Sequence, residues 1–177
     1  SNPFEMDDDP ITSALQPQTG MRSFILVLPV ERFFEGDGEL YYYNNINKSR
    51  ERCKIRRYLD KAEQTGFTFG ETQDAAVIKQ WYEQIHCKRL AELDGAPLPR
   101  ELFERVVGSQ EFRPWWRFFT VHSNDRLVGG DLCIFNRHGL LDNFMMSTDS
   151  EFMNQGLNYF LVHRTMLWCR QNGIKVY

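Results

Sequence analysis

Nothing in this sequence pairs its cysteines at short range. The four stand at positions 53, 87, 133 and 169, so the C-x-x-C spacing of a zinc site or a redox dithiol is missing. A domain of this size needs no disulfide, and free, buried thiols in a reducing compartment are the expectation. The apolar runs, around Phe24–Pro29 and Tyr159–Val162, fall far short of the roughly 20 residues of a membrane span. The N-terminus is acidic (Glu5, Asp7, Asp8, Asp9) where a secretory signal would be basic. The expected location is therefore cytoplasmic, with no membrane span.

Other absences exclude chemistries. His86, His122, His138 and His163 form neither H-E-x-x-H nor H-x-x-x-H, and no carboxylates cluster at ligand spacing, so no metal is expected. Each histidine is expected as a surface or half-buried hydrogen-bonding residue. The sequence has no G-x-x-x-x-G-K-[ST], no G-x-G-x-x-G and no G-x-S-x-G. That argues against P-loop, dinucleotide-binding and serine-hydrolase readings.

What is present is one domain's worth of chain, 177 residues with 42% hydrophobic, 25% charged and 14% aromatic content, an ordinary globular composition. The net charge is −3, which excludes a whole-surface nucleic-acid binder. The average conceals an asymmetry. Lys48–Lys61 carries seven basic residues against Glu51 and Asp60, a segment of +5 on a remainder of −8. One element is basic on an acidic protein.

Residues 1–20, with Pro3, Pro10, Pro17 and Gly20, read as a flexible leader, and residues 21–177 as a single domain. Short strands are expected at Phe24–Pro29 and Glu39–Tyr43. A helix follows over Ser49–Gln64, with Ser49 as N-cap, Gly66 past its end and a stripe of Cys53, Ile55, Leu59 and Ala62. Phe67–Glu71 alternates as a strand. Asp74 caps a second helix with the stripe Ile78, Trp81, Tyr82, Ile85, Arg89, Leu93. Pro99 opens a third, through Val107.

Beyond Pro114 the pattern turns to β. Trp116–His122, Leu127–Phe135 and Leu140–Ser147 read as an antiparallel meander, with Gly129-Gly130 marking a bulge or a close backbone approach. A polar loop, Thr148–Gly156, leads into a helix over Leu157–Asn172 closed by Gly173, and Ile174–Tyr177 begins another strand. The fold class is α+β, in three layers.

Asn154-Gln-Gly-Leu-Asn158 lies between a strand and a long helix. A helix N-terminus there would offer unpaired N–H groups and a favourable dipole to an anion, though local sequence favours an ordinary capped helix start with Asn154 or Gly156 as the N-cap. The stretch Arg126-Leu-Val-Gly-Gly-Asp131, Met145-Met-Ser-Thr-Asp149, Asn154-Gln-Gly-Leu-Asn158 and Trp168-Cys-Arg-Gln-Asn-Gly173 resembles the acyltransferases of the GNAT superfamily, and among them the Fem-like branch of peptidoglycan-bridge aminoacyl transferases. Upstream, Lys48-Ser-Arg-Glu-Arg52 and Arg56-Arg57 resemble that branch's basic helix. Trp81-Tyr82, His86 and Leu98–Phe103 resemble its paired helices.

The resemblance implies a GNAT-like α/β/α fold around a mostly antiparallel sheet, which here ends early at Tyr177 where the family continues into further strands. It implies an acyl group, acetyl-like, moving from acetyl-CoA or another acyl-CoA co-substrate to an amine on a small-molecule acceptor. Met145, Met146 and Ser147 would line the donor arm by backbone bonds, and Gln155, Gly156, Leu157 and Asn158 would hold its pyrophosphate. Only one glycine stands in that loop, with Asn158 in the second glycine's place. Some Fem-like members use aminoacyl-tRNA instead, so tRNA is the one nucleic-acid partner left open. A non-catalytic GNAT-like binding module is the other alternative.

Asp131, Asp142 and Asp149 lie in or beside the meander, and position favours Asp142 as the base, with Tyr159 as proton donor. An ordinary structural role stands beside each: Asp131 as an outward-facing strand residue, Tyr159 as core packing. The basic helix reads either as a solvated face or as a surface for donor phosphates.

Overall fold

A computed structural model describes Val30, residues 49–136 and residues 138–177. The expected leader and the strands at Phe24–Pro29 and Glu39–Tyr43 lie outside the described residues. The first element is helix α1, Ser49–Thr65, which stops at Gly66 in the left-handed region (φ +73°). Strand β1, Thr68–Thr72, follows. Asp74 caps helix α2, Ala75–Trp81, accepting the Ala76 N–H at 2.8 Å, which satisfies one of the orphan donors of a helix start.

The second helix is one helical run broken by an unexpected feature. Between α2 and helix α3, Cys87–Glu92, residues Tyr82–His86 form a π-helical turn. The wider turn interrupts the 3.6-residue stripe. Ile78, Trp81, Tyr82 and Ile85 are buried as expected, but the next inward residue is His86, while Leu93 is exposed. The histidine expected at the surface or half-buried is thus a core residue, hydrogen-bonded as expected. Helix α4, Arg100–Gly108, has Pro99 as its cap.

The meander forms β2, Trp116–Ser123, β3, Arg126–Phe135, and β4, Leu141–Thr148. Asn124 and Asp125, both at positive φ, make the two-residue hairpin turn that matches strand twist. The sheet is antiparallel, in the order β1-β2-β3-β4. Beyond β4, Val176 bridges Leu140 in parallel and its carbonyl accepts the Leu141 N–H at 2.9 Å. The expected polar loop is a 3-10 turn, Ser150–Gln155, that leads through Gly156 into helix α5, Leu157–Gln171.

Helices cover both faces. On one, α2, α3 and α4 enclose Trp81, Tyr82, Ile85, Phe103, Phe118, Leu132 and Met145. On the other, α1 and α5 pack with Ala62, Phe119, Val121, Val128, Cys133, Leu141, Leu157 and Leu161. This is the three-layer α+β arrangement expected from the sequence.

Two irregularities in the sheet decide which residues share a face. Opposite Val121/His122, one residue of β3, Val128, is extra. Opposite Leu132/Cys133, Phe144 of β4 is extra. After that second bulge the alternation of β4 restarts. Phe144 and Met145 both lie with the α2 cluster, whereas Leu141 and Met146 lie with the α5 cluster.

Gly130 meets the close approach expected of it. A Cβ there would stand 2.5 Å from Phe118 Cζ and 2.8 Å from Trp81.

Candidate active site

β4 brings two polar clusters together, one on each face of the sheet. On the α5 face Asp131 of β3 is fully buried, the reverse of the outward-facing residue expected. The Tyr177 hydroxyl donates to Asp131 Oδ2 at 3.1 Å, and Asn143 Nδ2 donates to the Tyr177 oxygen at 3.1 Å and to Asp131 Oδ2 at 3.4 Å. Asp131 Oδ1 has no hydrogen-bond partner among the described residues. Burial pushes the Asp131 carboxyl up to about 7, with the charge of Asp142 adding to it and hydrogen bonds from Cys133 and Tyr177 opposing it. Burial and the neighbouring Asp131 likewise hold the Tyr177 phenol far above its ordinary value.

The thiols are less uniform than expected. Cys133 and Cys169 are buried, Cys87 is half-buried and Cys53 exposed, and all four are free. Burial raises Cys133 well above an ordinary thiol and Cys169 to about 12, so neither is a thiolate at neutral pH.

On the α2 face the same strand presents Ser147, buried, with its Oγ 2.8 Å from His86 Nδ1. The Ser147 carbonyl accepts the Trp81 Nε1–H at 3.1 Å, so one residue is held through both main chain and side chain by the π-helical run. Burial lowers the His86 pKa below its ordinary value, which keeps the ring neutral at neutral pH.

The expected site residues divide between these surroundings. Met145 is buried against the α2 cluster and Met146 is half-buried on the opposite face. Asp142 is half-buried and pairs across the sheet with Ile134, one residue from Asn143. Asp149 caps the 3-10 turn through Glu151 N and forms an ion pair with Arg126.

The loop is held from above by α1. Gly156, at φ +85°, is buried, and a Cβ there would lie 2.0 Å from the Tyr58 carbonyl oxygen. Tyr159 stacks on Tyr58 with centroids 4.9 Å apart, and Lys61 Nζ donates to the Asn154 carbonyl at 3.4 Å. Leu157 is buried, Gln155 and Asn158 are half-buried, and Asn158 Oδ1 accepts the Thr148 hydroxyl. Helix α1 buries Leu59 and Ala62 and leaves Cys53 exposed. Its basic residues Arg50, Lys54 and Arg57 line, with Cys53, a cleft of about 440 Å³.

His86, Asn143 and Tyr177 were missed in the sequence. His86 sat at the margin of its helical stripe, four residues after Tyr82, and that position was its one signal. Asn143 and Tyr177 carried none, because their partner Asp131 is reached only across the sheet. Among the described residues, no three His, Cys, Asp or Glu side chains stand close enough to hold a metal ion. No helix of the described residues is long and apolar enough to cross a membrane.

The family described as "Acetyltransferase (GNAT) domain" matches residues 49–177. No curated protein is significantly similar in sequence. A solved structure superposes with a TM-score of 0.58 at 15% identity: the C-terminal domain (DUF2156) of a protein from Agrobacterium fabrum named as a lysylphosphatidylglycerol synthetase. The alignment covers 95% of this chain and 50% of that one, so the chain spans half the length of that structure, and the likeness is one of fold.

Proposed function

The chain belongs to the GNAT acetyltransferase domain family, and from that premise we propose that it moves an acyl group from an acyl-CoA donor to an amine acceptor. The observation that carries the reading is the course of β4. Its outer edge is bridged at Leu140 and Leu141 by Val176. From Asp142 onward no strand of the described residues pairs with it there, and it leads within a few residues to the start of α5. A donor arm along Met145–Ser147 would bring its pyrophosphate to Gln155, Gly156, Leu157 and Asn158. Helix α1, packed directly on that loop, would add the positive charge of Arg50, Lys54, Arg57 and Lys61.

The reaction needs proximity first, since a thioester held against an amine gains most of its rate from orientation. It also needs a proton for the departing thiolate. Tyr177, whose hydroxyl donates to Asp131 on the α5 face, is one candidate for that role by position alone. Asp142, expected as the base by position, takes part in this reading through a charge that adds to the burial that raises Asp131. Tyr159, in the first turn of α5, has its ring committed to Tyr58, and its hydroxyl is the second candidate donor. Replacing Tyr159 and Tyr177 singly by Phe separates the two, the true donor being the one whose loss lowers kcat and leaves donor KM unchanged.

The Fem-like resemblance of Arg126–Tyr177 carries a second reading, favoured by the basic face of α1: an aminoacyl-tRNA donor. Thermal shift with acetyl-CoA, longer acyl-CoAs and free coenzyme A tests the first. Saturating donor at 100 times its Kd should add about 2.7 kcal/mol, and no shift at millimolar ligand would sink that reading. Filter retention of aminoacyl-tRNA, lost steeply with salt, tests the second. Binding of neither donor leaves a non-catalytic module.

A further inference from the structure

The α2 face of β4 carries a buried base that the donor site leaves unused. Neutral His86 is 2.8 Å from the hydroxyl of Ser147, on the strand proposed to hold the donor. Three separate features maintain this contact. The π-helical turn Tyr82–His86 directs the imidazole inward, and such turns recur at functional sites. Trp81 Nε1 ties down the Ser147 carbonyl. Gly130 supplies the room that Trp81 and Phe118 fill. Tyr82 stacks on His86 from one side, its own hydroxyl being committed to the Leu98 carbonyl.

We propose that Ser147 is a catalytic residue whose hydroxyl meets the acceptor amine, and that His86 is its positioning residue, receiving the amine's proton through it. This rests on the acyltransferase reading above. An ammonium acceptor gives one proton to Ser147 Oγ as the Ser147 O–H proton passes to His86 Nδ1, leaving imidazolium. The freed lone pair on nitrogen attacks the acyl carbon, the C–N bond forms and the C–S bond breaks with its electron pair on sulfur. The tyrosine donor protonates the thiolate and regains its proton from the amine's second one, and His86 returns its own to solvent. The titratable groups nearest His86 in the chain are Tyr82, Glu83, Cys87 and Lys88 on its own helical run, followed by Arg89 and Glu92, which pair with each other. Burial is the cause of the histidine's shift.

The test measures thiol release from acetyl-, hexanoyl- and palmitoyl-CoA with L-lysine as amine, across pH, for wild type, S147A, S147T and H86Q. Each variant is first shown folded by its melting transition. S147A and H86Q should lower kcat about 100-fold with donor KM unchanged. S147T, which restores the hydroxyl, should recover most of the loss. The wild-type profile should fall off on the acid side below about 6.5, and H86Q should lack that limb.

Nitrogen NMR of the resting protein should find His86 protonated at Nε2, since Nδ1 must accept. An Nδ1–H tautomer, or a folded H86Q with kcat within about threefold of wild type and its acid limb intact, would overturn the proposal while the acyltransferase reading stands. Wild type that releases no thiol from any of the donors overturns both.

Discussion

The two faces of β4 use burial in opposite directions. On the α5 face burial raises a carboxyl, Asp131, towards neutrality, and on the α2 face it lowers an imidazole, His86. Desolvation disfavours whichever form is charged, so an acid and a base buried on two sides of one strand both come to rest in their neutral forms. A protonated carboxyl and an unprotonated imidazole are the states wanted for giving and for taking a proton near neutral pH. The contrast teaches that one strand at the edge of a sheet can border opposed chemistries on its two faces.

The two groups also make opposite demands on stability. Folded Asp131 keeps a proton that the unfolded chain has lost between 3.8 and about 7. Stability therefore falls as pH rises through that window, by roughly 4 kcal/mol in all. Unfolded His86 takes up a proton below 6.5 that the folded protein resists, so its contribution is lost as pH falls. Below 6.5, where His86 titrates, its slope opposes that of Asp131.

The largest expected effect breaks the α5 face. Gly156→Ala places a methyl against the backbone of α1 at a left-handed residue, where neither side can yield, and should cost more than about 4 kcal/mol. Little soluble protein, or a melting transition lost at 25 °C, checks it. Next is Asp131→Asn, which keeps the shape and removes the charge. Its melting temperature at pH 8 should rise by about 5–10 °C over wild type, with the difference vanishing near pH 4. A rise of equal size at both pH values would mean that the carboxyl is not the source.

Gly130→Ala is the α2-face counterpart of the first variant, but it meets ring atoms rather than backbone. Side chains can shift, so about 1–3 kcal/mol is expected in urea unfolding. If Gly130→Ala proved as damaging as Gly156→Ala, the difference between a backbone and a side-chain neighbour would not hold. The smallest effect serves as a control on neither face. Arg126→Ala removes exposed contacts to Asp149 and Glu151 and should cost under about 1 kcal/mol, less in high salt.

Much of the frame was legible in the sequence. Asp74 as a cap and Gly66 and Gly173 past helix ends are local features, and each was found where its residues indicated, whereas the strand expected at Ile174–Tyr177 is a single bridge at Val176. The candidate site was legible only in part. The strand and loop were readable as motifs, but the surroundings of their residues were not. Ser147 looked like a backbone contact and proved to hold a buried histidine. Gly156, expected as a glycine for an anion, is also the position that the Tyr58 backbone leaves no room to enlarge. Tyr159, expected as a proton donor, has its ring stacked on Tyr58 of α1.

The sequence by itself therefore determined the elements, their order and the α+β class, because capping, turn chemistry and hydrophobic period act over a few residues. It also showed that the one basic element is a single helix. Tertiary structure alone decided three things. It placed that helix on the α5 loop, turned His86 inward through a π turn, and inserted Phe144 as an extra residue in β4. The last matters most. Strict alternation would have put Asn143 on one face with Met145 and Ser147, and the bulge instead sends Asn143 to Asp131 and Ser147 to His86. A bulge forms where packing on both faces favours one more residue than the partner strand provides, and no local pattern in the chain records that balance.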